Sequence, residues 1–131
     1  FKDVMSVECR GSWSNGNRAA MTVLADIMKD EALFESVVKE RNRHMDTLKK
    51  RGDAFMEEAS KEGLKVCPYD SGFFVTIPCR KAEEVSSKLQ NDNIFAVTLG
   101  DGIRISVASN TEKECRALPA AIKKAMASQG L

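Results

Sequence analysis

The sequence predicts an α+β fold, in which helices cover a small sheet of about four strands arranged as two hairpins. Three observations indicate this class: a long amphipathic segment between residues 31 and 62, two β-branched runs at 73–77 and 103–107, and a helix-start signal at Thr111. The 131 residues amount to about one domain, and a hydrophobic content of 43% can supply its core.

Residues 1–30 predict an extended entry followed by a helix. Residues 4–7 mix apolar and polar side chains, which is typical of a short strand or an extended segment. Residues 9–17 are rich in turn formers and end in residues that favour a helix N-terminus. From Arg18 onwards, apolar side chains recur at the spacing of an amphipathic helix, at Met21, Leu24, Ala25 and Met28.

The longest predicted element is a helix that begins after Asp30, a suitable N-cap residue. Its apolar stripe consists of Phe34, Val37, Val38, Met45, Leu48, Phe55, Met56 and Ala59. Gly52 costs about 1 kcal/mol relative to alanine inside a helix, so we expect a bend or a break there. Gly63 is placed to end the helix as its C′ residue.

The remaining residues alternate between predicted strands and helices. Strands are expected at 64–67, 73–77, 94–98 and 103–107, with a turn at 68–72. Helices are expected at 81–90 and from the capping box of Thr111 and Glu114 onwards. Pro119 predicts that this last helix is kinked or starts only at that residue.

Composition and charge argue against several classes of function. The formal net charge of +1 leaves no basic excess for binding nucleic acid. No apolar stretch approaches the roughly 20 residues that a membrane span needs. The four cysteines form no C-x-x-C pair and His44 is the single histidine, so we expect no metal site. In the absence of a signal peptide, we expect reduced thiols and a cytoplasmic location.

Arg104 interrupts the pattern of the predicted strand at 103–107. Strict alternation places Ile103, Ile105 and Val107 on one face of the sheet and Arg104 on the other. Two interpretations stay open. The second face is simply solvated, or a guanidinium fixed on a strand grips a carboxylate or a phosphate through two parallel hydrogen bonds.

Arg10 is the second candidate binding residue. It lies in the predicted loop beside Trp13, Ser14 and Asn15, where most arginines are solvated. A lone large aromatic side chain in a polar loop usually packs against something, so we expect Trp13 to contact a partner subunit or another domain.

Four features, in chain order, resemble the aspartate and aromatic aminotransferases. Residues 10–15, Arg-Gly-Ser-Trp-Ser-Asn, are similar to the Arg-x-x-aromatic-Ser-Asn segment of that family. The long helix resembles its domain-linking helix, residues 71–74 its Gly-x-Phe strand, and residues 102–108 its Gly-x-Arg strand. The chain therefore resembles the C-terminal part of a class I/II aminotransferase. Residues 31–131 would be the small domain of this fold-type I family, and residues 1–30 would belong to the large domain.

The resemblance implies a role for the arginine of the last strand and for a neighbouring aromatic residue. Arg104 would bind the α-carboxylate of the substrate in a bidentate pair. Phe74 matches a phenylalanine of the family's pocket wall, with Phe73 as the alternative. Because adjacent strand residues face opposite ways, one of the two rings is expected to point inward.

The resemblance also implies a site shared between two subunits. Arg10 would reach across a homodimer interface and bind the side-chain carboxylate of a dicarboxylic substrate. Ser14 and Asn15 would lie close to that shared site.

Finally, the resemblance implies the cofactor pyridoxal 5′-phosphate, which the family holds on a lysine of the large domain. No lysine here stands in that motif, so we expect no catalytic residue in this fragment, no bound cofactor and no activity of the fragment alone. The expected parent enzyme transfers an amino group between a dicarboxylic or aromatic amino acid and a 2-oxo acid. The alternative is a free-standing α+β module that binds a carboxylate metabolite or dimerises.

Overall fold

The computed structural model describes residues 1–12, 14 and 16–131, and it confirms the α+β class. Its described residues form five helices and one antiparallel sheet of three strands. The helices are α1 (Lys2–Ser12), α2 (Arg18–Lys29), α3 (Glu31–Glu62), α4 (Ala82–Gln90) and α5 (Glu112–Ala127). The strands are β1 (Phe74–Pro78), β2 (Val97–Leu99) and β3 (Gly102–Ser106).

The chain divides into two compact units, residues 1–43 and 44–131, and the boundary falls within α3. The sequence placed a division after residue 30 for a different reason, the resemblance to a two-domain family. The assignment of residues 1–30 to a large domain stays a prediction.

The first unit begins with a helix where an extended segment was expected. Residues 4–7 lie in α1, and so do residues 9–12 of the expected loop. The prediction was wrong because a helix satisfies its backbone hydrogen bonds within the segment, whereas a strand needs a partner. Asp3 in the first turn and Arg10 in the last also complement the helix dipole. Trp13 lies outside the described residues.

The predicted starts of α2 and α3 are confirmed by their caps. The Asn17 side chain accepts a hydrogen bond of 3.1 Å from the backbone N–H of Ala20. The Asp30 carboxylate accepts one of 2.9 Å from the N–H of Leu33. These bonds satisfy donors that a helix start otherwise leaves free.

Helix α3 continues through Gly52 without a break and ends as predicted at Gly63. Gly63 takes the left-handed φ of +64°, and its N–H donates to the Ser60 carbonyl oxygen at 3.1 Å. The Leu64 N–H donates to the Ala59 carbonyl oxygen at 2.9 Å, which completes a Schellman motif.

The sheet has the order β1-β3-β2 in the described residues, so it contains three strands and one hairpin instead of four strands in two hairpins. The expected strand at 64–67 is absent from the described sheet: the Cys67 N–H donates one bond of 2.9 Å to the Thr76 carbonyl oxygen. Pro68 follows at once and has no N–H to extend a ladder. The strand expected at 94–98 is shortened to Val97–Leu99.

The core of the second unit lies on one face of this sheet. The predicted alternation is confirmed, because Ile103, Ile105 and Val107 are fully buried. The C-terminal part of α3, α4 and α5 pack there, and the largest buried side chains include Phe55, Val75, Ile77, Val85, Leu89 and Ile122.

The last helix starts at its capping box and not at Pro119. The Glu114 N–H donates to the Thr111 Oγ at 3.3 Å, and the Thr111 N–H donates to the Glu114 carboxylate at 2.6 Å. Pro119 lies buried inside α5, which runs through it.

Among the described helices, none combines the length and apolar character that crossing a membrane requires. The same residues include no group of three or more side chains placed to hold a metal ion. All four cysteines are free thiols, with Cys79 and Cys115 buried and Cys9 exposed.

Candidate functional site

Arg104 lies at the centre of the sheet face that points away from the core. In β3 it is paired with Thr76 of β1 on one side and with Val97 of β2 on the other. Its neighbours in sequence, Ile103 and Ile105, turn inward and are buried, so the alternation of β3 fixes Arg104 outward. The Arg104 side chain is half-buried. Its backbone lies in the central strand of the sheet, which is paired with a strand on each side.

The guanidinium of Arg104 lies over an aromatic ring. Its Cζ is 4.6 Å from the centroid of Phe74, whose strand position is diagonal to that of Arg104. A cation over the face of a ring is attracted by the ring's quadrupole. The expectation that one phenylalanine of the pair points inward was wrong, because Phe73 and Phe74 are 62% and 46% exposed. Of the two, Phe74 is the one that contacts Arg104.

No salt bridge neutralises Arg104 within the described part of the chain. Its Nε is covered from solvent and has no hydrogen-bond partner among the described residues. A planar guanidinium presents a fork of donors that matches a carboxylate. The guanidinium of Arg104 is thus stacked on Phe74 and has no acidic partner among the described residues.

The turn that follows β3 is closed by its own polar side chains. The Ser106 and Ser109 hydroxyls lie 2.9 Å apart, and the Ser109 N–H donates to the Ser106 hydroxyl at 3.2 Å. The Asn110 side-chain amide donates to the Ser106 carbonyl oxygen at 2.7 Å. These bonds fix the C-terminal end of the strand that carries Arg104.

Arg10 and Ser14 are brought together in the first unit. The Arg10 Nη1 donates to the Ser14 carbonyl oxygen at 2.9 Å and lies 3.4 Å from its hydroxyl. Ser14 has a φ of +65°, a left-handed conformation that costs a residue with a side chain about 1 kcal/mol or more. Arg10 itself is exposed at the end of α1 and not in a loop. Asn15 lies outside the described residues.

A groove of about 610 Å³ opens between α5 and the segment before β2. Ile94, Phe95, Ser106 and Asn110 are among its lining residues, and Arg104 and Phe74 are not. The candidate carboxylate site is thus an exposed patch on the sheet and is separate from this groove.

Residues 9–122, most of the chain, match the family described as aminotransferase class I and II. The chain belongs to this family. The predicted resemblance to class I/II aminotransferases is confirmed, and the architecture matches fold-type I.

Two solved structures are similar to this class I and II aminotransferase chain. One is an aminotransferase from Anaerococcus prevotii, 28% identical with a TM-score of 0.90, matched over 96% of this chain and 31% of that chain. The other is an aromatic aminotransferase from Pyrococcus horikoshii, 15% identical with a TM-score of 0.54, matched over 81% of this chain and 30% of that chain. The second likeness concerns the fold alone. The chain thus spans about a third of these proteins, and none of the curated proteins matches it.

Class I and II aminotransferases imply pyridoxal phosphate, an aldehyde cofactor held by a lysine amine. Every lysine that the structure describes is exposed, and none lies in an enclosed site. That the family's cofactor lysine lies outside this chain stays a prediction. The candidate binding group among the described residues is the guanidinium of Arg104, which could pair with an anion.

Two contacts in the second unit do not follow from the sequence pattern. Arg51 of α3 donates to the Ala108 carbonyl oxygen at 2.8 Å, across 57 positions of sequence. Gly52 is buried under the ring of Tyr69, whose hydroxyl donates to the Gly72 carbonyl oxygen at 2.9 Å. A signal for Arg51 was present, because its helical spacing from Leu48 and Phe55 places a charged residue on the apolar stripe.

Proposed function

We propose that this chain forms the carboxylate-binding end of a pyridoxal-phosphate-dependent aminotransferase, which exchanges amino groups between amino acids and 2-oxo acids. The single observation that carries the proposal is Arg104: a half-buried guanidinium on a strand, stacked on Phe74, with no acidic partner among the described residues. The covered Nε of this half-buried guanidinium has no partner among the described residues, and a substrate carboxylate would pair with the cation.

Arg104 acts, in this proposal, on the α-carboxylate that all amino acids share. Two parallel hydrogen bonds would fix both the position and the plane of that group. Holding the substrate in one orientation is catalysis by proximity, because the bond to be broken is aligned before reaction. Phe74 holds the guanidinium plane in place from the opposite side.

Arg10 selects, in this proposal, dicarboxylic substrates in a homodimer. The exposed guanidinium of Arg10 at the end of α1 supports this role: its Nη1 is held by Ser14, and its other N–H groups would bind the substrate in a second subunit. Aspartate and glutamate carry a distal carboxylate that needs such a partner, whereas an aromatic side chain does not. Asn15 is proposed to lie in the same site.

The cofactor is proposed to be held by residues outside this chain, and the chain alone is proposed to be inactive. A cytoplasmic location is part of the same proposal, supported by the free thiols.

The test uses the full-length protein encoded by the reading frame that contains this chain. We expect a cofactor lysine in its family motif upstream, and transamination in the presence of pyridoxal phosphate. Arg104→Leu should lower kcat/KM for every amino acid about 10²–10³-fold, as loss of one partner of a buried charge pair does. Arg80→Leu removes an exposed arginine outside the site and is the matched control.

The specificity role is tested with Arg10→Leu in the same protein. We expect a large loss of kcat/KM for aspartate and glutamate and little change for aromatic amino acids. Equal losses for all substrates would remove this role from Arg10. A full-length protein without a cofactor lysine, which binds carboxylates but transfers no amino group, would instead favour the carboxylate-binding module.

A further inference from the structure

Arg51 connects the long helix to the end of the strand that carries Arg104. It lies in the part of α3 that belongs to the second unit, and its side chain is half-buried. Its Nη1 donates to the carbonyl oxygen of Ala108, two residues beyond β3. A hydrogen bond from a charged donor is stronger than one between neutral groups.

The peptide at Ala108 is held from both sides. Its N–H lies 3.4 Å from the Phe73 carbonyl oxygen, which also accepts a bond of 2.9 Å from the Val107 N–H. Its carbonyl oxygen receives the bond from Arg51. The hydrogen bonds of Ala108 therefore connect the end of β3 to the start of β1 and to helix α3.

The two strands that are joined at Ala108 carry the two stacked residues, Phe74 on β1 and Arg104 on β3. Phe73 precedes Phe74 directly, and Ala108 lies four residues after Arg104. A shift of this junction moves the ring of Phe74 and the base of the guanidinium relative to each other. We propose that Arg51 is a positioning residue, which sets the Arg104 guanidinium over the ring of Phe74 through the carbonyl group of Ala108.

The charge of Arg51 also reaches the start of α5. The pKa of Glu114 is lowered mainly by hydrogen bonds from the Thr111 backbone and hydroxyl, with a smaller contribution from Arg51. Burial raises the pKa of Cys115, and Arg51 opposes that rise. A test must therefore separate the positioning of Arg104 from a general effect of the Arg51 charge on stability.

The first test observes Arg104 directly in the 131-residue chain labelled with ¹⁵N-arginine. Because the guanidinium lies over the ring of Phe74, we expect a ring-current shift of the Arg104 Nε–H resonance, and Phe74→Leu supplies the unshifted reference. In Arg51→Met we expect most of this ring-current shift to be lost. Lys50→Met, which removes an exposed charge from the adjacent helix position, should leave it unchanged.

Two outcomes of this experiment decide the proposal. A folded Arg51→Met whose Arg104 resonance is the same as in the wild type would overturn it. Should Arg51→Met not fold, Arg51→Lys and Arg51→Gln carry the comparison. Lys keeps a charged donor that can still reach the Ala108 carbonyl oxygen, whereas Gln is neutral and shorter. A shift kept in Arg51→Lys and reduced in Arg51→Gln supports positioning, and the wild-type resonance in Arg51→Gln contradicts it.

The second test is kinetic, uses the full-length protein and rests on the proposed function. Arg51→Met should lower kcat/KM for amino acids about tenfold, the size of a coupling of about 1.4 kcal/mol between residues of one network. In an Arg104→Leu background the same change should have no further effect, because its only route to substrate is gone. Additive losses would contradict positioning. A full-length protein without transamination would refute the proposed function, while the resonance of Arg104 would still decide the role of Arg51.

Discussion

Replacing Gly52 with alanine should destabilise the chain, although the same change stabilises most helices. A Cβ at Gly52 would lie 2.5 Å from the Tyr69 hydroxyl oxygen and 2.9 Å from its Cε1. The ring must move, because these distances are shorter than any ordinary contact, and its hydrogen bond to the Gly72 carbonyl oxygen is lost with it.

The magnitude follows from three contributions. Overpacking a tight contact costs about 1–3 kcal/mol, and the lost hydrogen bond costs about 1 kcal/mol. The higher helix propensity of alanine stabilises the helix by about 1 kcal/mol and partly offsets these losses. We therefore expect Gly52→Ala to lower the free energy of unfolding by about 1–3 kcal/mol.

The assay is urea unfolding of the chain, followed by circular dichroism at the helix signal. Gly100→Ala is the matched control, because a Cβ there meets no atom within 4 Å. It should change stability by less than about 0.5 kcal/mol. An increase in stability of Gly52→Ala would refute the reasoning, since it would mean that Gly52 behaves as an ordinary exposed helix glycine.

Three further predictions concern other contacts of the second unit. The pKa of Glu57 is lowered to about 2, first by its hydrogen bond from Lys61, so the stabilisation by the Glu57 carboxylate is complete above its usual pKa of 4.5 and is lost as pH falls towards 2. The free energy of unfolding should therefore decrease between pH 6 and pH 2.5. This decrease should be smaller in Glu57→Gln or at high salt. Thr111→Ala removes the cap of α5 and should cost about 1 kcal/mol in urea unfolding, whereas an unchanged midpoint would deny the cap a role. Phe74→Leu should cost about 0.5–1 kcal/mol through the lost stacking on Arg104, more than Phe73→Leu, and equal effects of the two would count against the stacking.

The ends of helices were predictable where the capping residue and its partner lie within a few positions of each other in the sequence. The N-caps at Asn17 and Asp30, the C′ glycine at Gly63 and the capping box at Thr111 all depend on contacts between residues close in sequence. The outward position of Arg104 followed in the same way from the alternation of β3.

Contacts between distant residues were not predictable in this way. The segment at residues 4–7 is a helix, because a strand there would depend on a partner that its own sequence does not specify. Gly52 was expected to bend or break α3; the helix is not broken there, and Gly52 makes room for Tyr69, which lies 17 positions later. Phe73 and Phe74 are both exposed because β1 begins only at Phe74, so Phe73 lies outside the strand. The alternation of apolar and polar residues does not determine the first residue of a strand to within one position.

The central claim is that Arg104 binds the α-carboxylate of an amino acid, and a crystal structure of the full-length protein with a bound substrate analogue tests it most directly. The claim predicts two parallel N–H···O bonds of about 2.7–2.9 Å between the guanidinium of Arg104 and that carboxylate. A carboxylate held by other groups, with the Arg104 side chain directed away from it, would contradict the claim.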